Sequence, residues 1–313
     1  MIDQAILINS VLSMFIMIIP GYLLRKSKLA DGHLAKGLAN VILYATQPAL
    51  IISAFVRDYD PQIMKESLAV FALSFVAHLL FYIIAVNMFK KAEESERKVL
   101  QYALVFANAG YMGMPLMAAI LGDKAVMFAA VYCIWFNVFS WSLGALIYTN
   151  DKKYLSPKKI LLNPATIPTY IGILLFILPI NQYIPSVLIN VMDSLKALVA
   201  PLAMMMIGLR LAEVQFKGIL SEWRILPYLL TRHFILPALM WLIMKIMVLC
   251  GLNIVAGEVM TVVLICAATP AAAATSIFAE KFGANTVYAG KLVAISSILS
   301  VLTIPIVALL LNI

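Results

Sequence analysis

The sequence predicts an all-α membrane protein of ten transmembrane helices arranged as two inverted five-helix repeats. Three observations predict it: an apolar composition, ten apolar stretches of spanning length, and matching helix-breaking features in the two halves. Of 313 residues, 64% are hydrophobic and 12% charged, whereas a soluble domain carries about twice that charged fraction. Mean hydropathy is +0.99. The net charge of +8 is dispersed through short loops, which fits orientation in a bilayer rather than nucleic-acid binding. Cys133, Cys250 and Cys266 fall in apolar stretches and resemble neither a disulfide framework nor a metal cluster, so no metal or cofactor is expected.

Apolar runs of roughly 17 to 25 residues lie near 5–24, 34–56, 66–89, 98–120 and 125–148. Five more lie near 164–180, 187–210, 225–249, 257–279 and 286–311. The first run has Asp3 before it and Arg25, Lys26 and Lys28 after it. A signal peptide has its positive charge in front, so this is a first transmembrane helix. One set of alternate loops holds sixteen Lys and Arg, while the other holds Arg57, Lys65 and Lys124. That asymmetry predicts a multi-pass protein of the cell membrane, of bacterial inner-membrane type, with both termini outside.

The halves echo each other. "QPALIISAF" follows the second-span break at Pro48, and "APLAMMMIGL" carries Pro201, 153 residues later. "FANAGYMG…AAILGDKAV" in spans four and five matches "CAATPAAA…FAEKFGANTV" in spans nine and ten, offset by 161 residues. Five spans per half is odd, so the halves enter the membrane in opposite senses, as in many secondary transporters. The predicted organisation is a repeat over 1–148, a basic cytoplasmic linker over 149–163 and a second repeat over 164–313.

Asn108, Ala109, Gly110, Gly113 and Pro115 interrupt the fourth span, and Thr269, Pro270 and Ala271 interrupt the ninth. Proline removes an N–H and opposes the carbonyl one turn earlier. Backbone freed in this way survives at membrane depth only against protein or a water-lined cavity. A small-residue helix with one proline is often only a packing surface or a kink. Two breaks at matched positions of an inverted repeat point instead to a transporter's binding site. No Asp or Glu lies well inside any span, although carriers of cations or protons usually keep one there. Half-helix N-termini favour anions, so the predicted substrate is a small organic anion, a carboxylate, held by Asn108 and backbone N–H groups.

Other polar residues are candidates around that site. Gln47, beside Thr46 and Pro48, and Tyr132 and Asn137 on the fifth span are candidate cavity residues; helix–helix hydrogen bonding is an equal alternative. His78 and His233, 155 residues apart, are approximate repeat mates that could relay protons or simply bond a neighbouring helix. Arg232 lies deeper than a snorkelling position and is expected to balance an anion or bind a carbonyl. Lys196, Lys245 and Lys291, near helix ends, are expected to snorkel.

These motifs resemble the auxin efflux carrier family, which includes plant auxin carriers and bacterial organic-acid permeases of malonate or malate type. The resemblance spans the chain. It is carried by "NAGYMGMPL" at 108–116, "ATPAAAATSIFAEKFG" at 268–283, "QPALIISAF", and "SSILSVLTIP" ending at Pro305. It implies a bile-acid-symporter or NhaA-like arrangement with a scaffold and a core domain, crossed broken helices four and nine, and elevator-like movement. Plant members carry proline where this chain has Ala107, implying a less sharply unwound first break. They also often carry a long loop between repeats, for which 149–163 leaves no room.

Two alternatives stay open: a Na⁺- or H⁺-coupled symporter of the bile-acid type, and a non-transporting sensor with the same fold. No aspartate pair, Ser/His arrangement or acidic metal-binding cluster suggests an intramembrane enzyme. The expected partners are the anion and membrane lipid, with a homodimer through scaffold spans 1, 2, 6 and 7.

Overall fold

The computed structural model describes residues 4–151, 166–178, 180–214 and 223–312. Most of the predicted linker, 149–163, lies outside the described residues. The first half contains α1 (Gln4–Ile16), α2 (Ile18–Lys26), α3 (Gly32–Val41), α4 (Gln47–Phe55), α5 (Pro61–Asn87), α6 (Glu94–Val105), α7 (Met114–Leu121), α8 (Asp123–Phe139) and α9 (Ala145–Thr149). The second half contains α10 (Ile167–Ile177), α11 (Ser186–Ala197), α12 (Val199–Glu213), α13 (Ile225–Leu230), α14 (Leu236–Leu249), α15 (Glu258–Ala268), α16 (Ala274–Lys281) and α17 (Thr286–Leu309). No strand occurs among the described residues.

Seven helical stretches are long and apolar enough to cross a membrane. They fall on predicted spans one, two, three, five, seven, eight and ten. Spans four, six and nine carry shorter apolar helices, Ala109–Leu121, Ile167–Ile177 and Glu258–Ala268. For spans four and nine the reason is the predicted interruption, which divides each into two half-helices. Large apolar side chains such as Leu23, Leu68, Ile83, Leu249 and Leu302 are exposed. In water they would form costly patches, whereas in lipid they are matched.

Local chemistry explains the ends and the irregular turns. Asp31, Asp60 and Asn285 accept backbone N–H bonds at the starts of α3, α5 and α17, satisfying donors the helix cannot. Wide π-helical turns at Ile42–Thr46, Ala109–Gly113 and Thr231–Ile235 each precede a helix with proline at its second position. Those prolines, Pro48, Pro115 and Pro237, oppose the carbonyls of Tyr44, Tyr111 and His233, each inside the wide turn. Widening the turn to an i→i−5 bond, as from Gln47 N to Ile42 O, relieves that clash.

Two packed groups result. In one, α12 lies along α2 and α3 while α10 and α11 cover α4. Gly21 on α2 and Gly208 on α12 allow backbone-to-backbone approach, because a Cβ at either would strike the facing Met205 or Ile18 carbonyl. In the other group, α5, α8, α14 and α17 surround α15, with α6 and α16 close by. An aromatic cluster of Tyr102, Phe106, Tyr148, Phe278 and Phe282 fills its interior near the breaks.

Candidate functional site

The two interruptions meet. α6 ends at Val105, and Phe106, Ala107 and Asn108 leave the helix before the Ala109–Gly113 turn. α15 ends at Ala268, and residues 269–273 are non-helical before α16. They pair as a minimal antiparallel bridge, Ala107 opposite Ala271. Asn108 N–H donates to the Pro270 carbonyl at 2.8 Å, and Ala272 N–H donates to the Phe106 carbonyl at 2.9 Å. Each break thus supplies what the other lacks, where no water is at hand.

Arg232 holds the helix ends that point into this crossing. Pro237 widens the turn carrying Arg232 and His233, and both side chains are 0% exposed. The guanidinium donates from Nη1 to Leu104 O at 3.1 Å, and from Nη2 to Ala267 O at 2.8 Å and Thr269 O at 2.7 Å. Those carbonyls belong to the C-terminal ends of α6 and α15, the negative ends of their dipoles. Among the described residues no carboxylate pairs with Arg232.

The histidines buttress different breaks. His233 spans Thr303 Oγ1 at 3.0 Å and Ser296 Oγ at 2.9 Å, and Ser296 Oγ accepts the Ala271 N–H at 3.0 Å. His78 bonds the Ser74 carbonyl at 2.8 Å and packs on the Tyr132 and Phe106 rings at 5.2 and 6.3 Å. Ser74 Oγ in turn donates to the Tyr132 carbonyl at 2.7 Å. No hydrogen bond or ring contact joins the two histidines among the described residues.

The starts of the following half-helices are less satisfied. The N–H groups of Ala109, Gly110 and Tyr111, and those of Ala273 and Ala274, find no acceptor among the described residues. The Asn108 carboxamide is also without a protein partner there, although the residue is only 4% exposed. Its backbone carbonyl, by contrast, accepts from Met112 and Gly113 at 3.0 and 3.2 Å. Thr269 differs, because its hydroxyl donates to Cys266 O at 2.8 Å.

A cavity of about 570 Å³ runs between the two helix groups. Its walls include Met206, Ile207 and Arg210 of α12, Glu280 of α16, and Lys291 and Ser297 of α17, and it reaches Tyr111 and Ala273 beside the breaks. Glu213, also lining it, is engaged by Arg25 at 3.1 Å. Arg210 and Lys291 make no ion pair among the described residues. The opposite ends of the broken helices are closed by ion pairs. Lys124 bridges Glu66 and Glu258 at 2.8 and 3.0 Å, and Lys196 reaches Asp123, Asp193 and Ser53 at 3.3, 2.9 and 3.2 Å.

The fold therefore brings Asn108, Ala109, Gly110, Gly113, Thr269, Pro270 and Ala271 to one crossing, with Arg232 and His233 against it. Gln47 is adjacent: its amide contacts Met114 S at 3.8 Å, and a Cβ on Gly110 would lie 3.2 Å from it. Pro115 sits one turn on, in α7. Tyr132 and Asn137 are buried on α8; neither these nor Gln47 and Asn108 lines the cavity, whose contact with the breaks is through Tyr111 and Ala273. Lys291 lines the cavity, and Lys196 joins α11 to α4 and α8. Lys245 lies over the Trp241 ring at 5.6 Å. The sequence does not single out Arg210 or Ser297, and it offers Lys291 only as a snorkelling residue near a helix end; the usable signal was Lys291 followed by the Ser296–Ser297 pair on one otherwise apolar span.

Comparison with known proteins agrees with a transport role. A family model described as "Membrane transport protein" matches residues 6–157 and 152–308. An uncharacterized transporter of Methanocaldococcus jannaschii is 25% identical over 217 residues, 66% of this chain and 70% of that protein. A Rhizobium meliloti protein, provisionally named a malonate transporter, is 25% identical over 305 residues, 94% of this chain and 92% of its own. With matches running nearly end to end, the chain belongs to the membrane transport protein family, the auxin efflux carrier family that its break motifs resemble.

Proposed function

We propose that this protein is a secondary transporter for a small organic anion, a carboxylate, bound where the broken fourth and ninth spans cross. The observation that carries this is the uneven satisfaction of the crossing. The C-terminal carbonyls are neutralised by Arg232, while N–H groups of Ala109, Gly110 and Tyr111 and the Asn108 amide are left for a ligand. Free N–H groups at a helix start favour an anion. The substrate enters along the cavity, where Arg210 and Lys291 draw it inward, and is held by Asn108, Gly110 and Gly113 with Gln47, Tyr132 and Asn137 around them, while Thr269, its hydroxyl and carbonyl already engaged, frames the site. The name of the Rhizobium meliloti relative supports malonate as the first compound to try.

Ten spans, built from seven long and three shorter apolar helices, form two inverted repeats over 1–148 and 164–313, joined by 149–163. The antiparallel meeting of Ala107 and Ala271 and the two successive family matches support that arrangement. The group containing α2, α3, α4, α10, α11 and α12 is the scaffold and the dimer surface. The group carrying the crossing moves against it in an elevator step. The cavity walls include Arg210 and Glu280, at helix ends next to the basic loops, which supports an inward-facing conformation with both termini outside.

Purified protein in detergent tests the substrate class. A panel of mono- and dicarboxylates including malonate is expected to raise the thermal midpoint, and the best ligand to be taken up by proteoliposomes. Absence of both effects for every carboxylate overturns the proposal, and binding without flux turns it into a sensor.

A further inference from the structure

Taking the crossing as the substrate site, we propose that the Arg232 guanidinium is the permanent cation of that crossing. It occupies the carbonyl cluster that an alkali cation would otherwise fill, so the carrier works without bound Na⁺ or K⁺. Half-helix C-termini and unwound carbonyls at a crossing are where transporters coordinate a coupling cation. Here Leu104 O, Ala267 O and Thr269 O converge from both broken helices, and all three accept from one side chain at 2.7 to 3.1 Å.

Charge matches as well as geometry. Each helix C-terminus carries roughly half a negative elementary charge, so two ends together balance about one guanidinium. No carboxylate of the described residues completes the pair, which makes the carbonyls themselves the counter-charge. The planar fork suits this arrangement, because Nη2 serves two carbonyls of the α15 end and Nη1 reaches across to α6. Placement is enforced by the wide turn over Thr231–Ile235, where His233 is fixed on Ser296 and Thr303. Arg232 is in this sense a positioning residue: it holds two half-helices together and leaves only their N-terminal ends in need of a charged partner.

The test needs no substrate. Ligand-free protein is melted in NaCl, KCl and choline chloride at equal ionic strength, as wild type, Arg232→Ala and Arg232→Lys. Wild type is expected to melt at one temperature in all three salts. Arg232→Ala is expected to melt lower by about 5 °C or more, three buried carbonyls having lost their donors. Methylguanidinium or Na⁺ should restore it, by about 2–4 °C at a concentration roughly fivefold above the dissociation constant, with no response to choline. Arg232→Lys should fall between the two and respond less to added cation.

Stabilisation of wild type by Na⁺ over choline overturns the proposal, as does an Arg232→Ala protein that is folded and indifferent to every small cation. Should Arg232→Ala not fold, the wild-type salt series and Arg232→Lys decide. Failure of every carboxylate to bind would remove the substrate assignment and leave these cation responses untouched.

Discussion

The two breaks resemble each other in sequence and are opposites in how their polar groups are used. In the second, the backbone is held from Ala267 to Ala272, and only the N–H groups of Ala273 and Ala274 lack an acceptor among the described residues. Ala267 and Thr269 carbonyls meet Arg232, the Ala271 N–H meets Ser296, Ala272 N–H crosses to Phe106, and the Thr269 hydroxyl turns back onto Cys266. In the first, only three residues leave the helix, and the wide turn that follows begins with three N–H groups and an Asn side chain that lack acceptors or partners among the described residues. One break is an anchor and the other is a receiver. Near-symmetry of sequence does not entail symmetry of role, because one buried Ser and one buried Arg suffice to close one side.

That contrast can be broken at several places. The largest effect is expected at Asn108→Ala, with proteoliposome uptake falling tenfold or more, since a partner for a charged ligand is lost in a dry site. Its thermal midpoint should hardly move, because Asn108 makes no side-chain bond to the described residues. Thr269→Ala is the matched control, and its uptake should change by less than about threefold, its hydroxyl being spent on its own helix. A larger loss at Thr269 than at Asn108 would reverse the roles of the breaks.

Next comes Ser296→Ala, which strands the Ala271 N–H and one face of His233. A loss of about 1–3 kcal/mol of stability is expected, read as a lower melting midpoint with substrate affinity nearly kept. An unchanged midpoint would mean that the anchor lies elsewhere. A smaller effect is expected at Lys291→Gln, a severalfold rise in KM for carboxylate without loss of stability, because a half-exposed cation attracts through a partly aqueous path. An equal rise in KM for a neutral substrate analogue would show that the charge is not what matters.

The smallest is at the closed end. Lys196→Met removes one ion pair between α11 and the start of α8 and a second within α11, both with partners about half exposed, contributing about 0.2–1 kcal/mol. It should shift the conformational balance by a factor of roughly two, measured as slower alkylation of Ser297→Cys in the cavity on a Cys250→Ser background. A faster rate would place the latch on the other side of the equilibrium.

Much of the site is legible before folding is considered. Pro48, Pro115, Pro237 and Pro270 act on carbonyls one turn away, and Gly110 and Gly113 lower helix commitment at the first break, so the breaks can be located from neighbours in the chain. Ala107 in place of a proline implies a milder first break, and three non-helical residues there stand against five in the second. Arg232 is legible as unusual, with a carbonyl among its expected partners, but which carbonyls is not. The histidines look like a pair in sequence, and each serves its own break. The cavity residues are harder: Lys291 and Arg210 sit near helix ends, where the ordinary reading for a long cationic side chain is to snorkel.

Composition, loop charge and the placement of Pro and Gly determined that this chain enters a membrane, how its halves echo in sequence, and where two helices fail. Those properties depend on residues within a turn or two of each other, or on sums over the chain. Only the tertiary structure decided that the two failures share one peptide bridge, that Arg232 closes both helix ends at once, and that Lys291, Arg210 and Tyr111 face a common cavity. These are meetings of groups 35 to 188 residues apart, such as Arg232 with Ala267 and with Leu104, or Arg25 with Glu213. Which buried donor finds which acceptor is settled by helix packing, where every unpaired polar group is costly and only a few arrangements leave few behind.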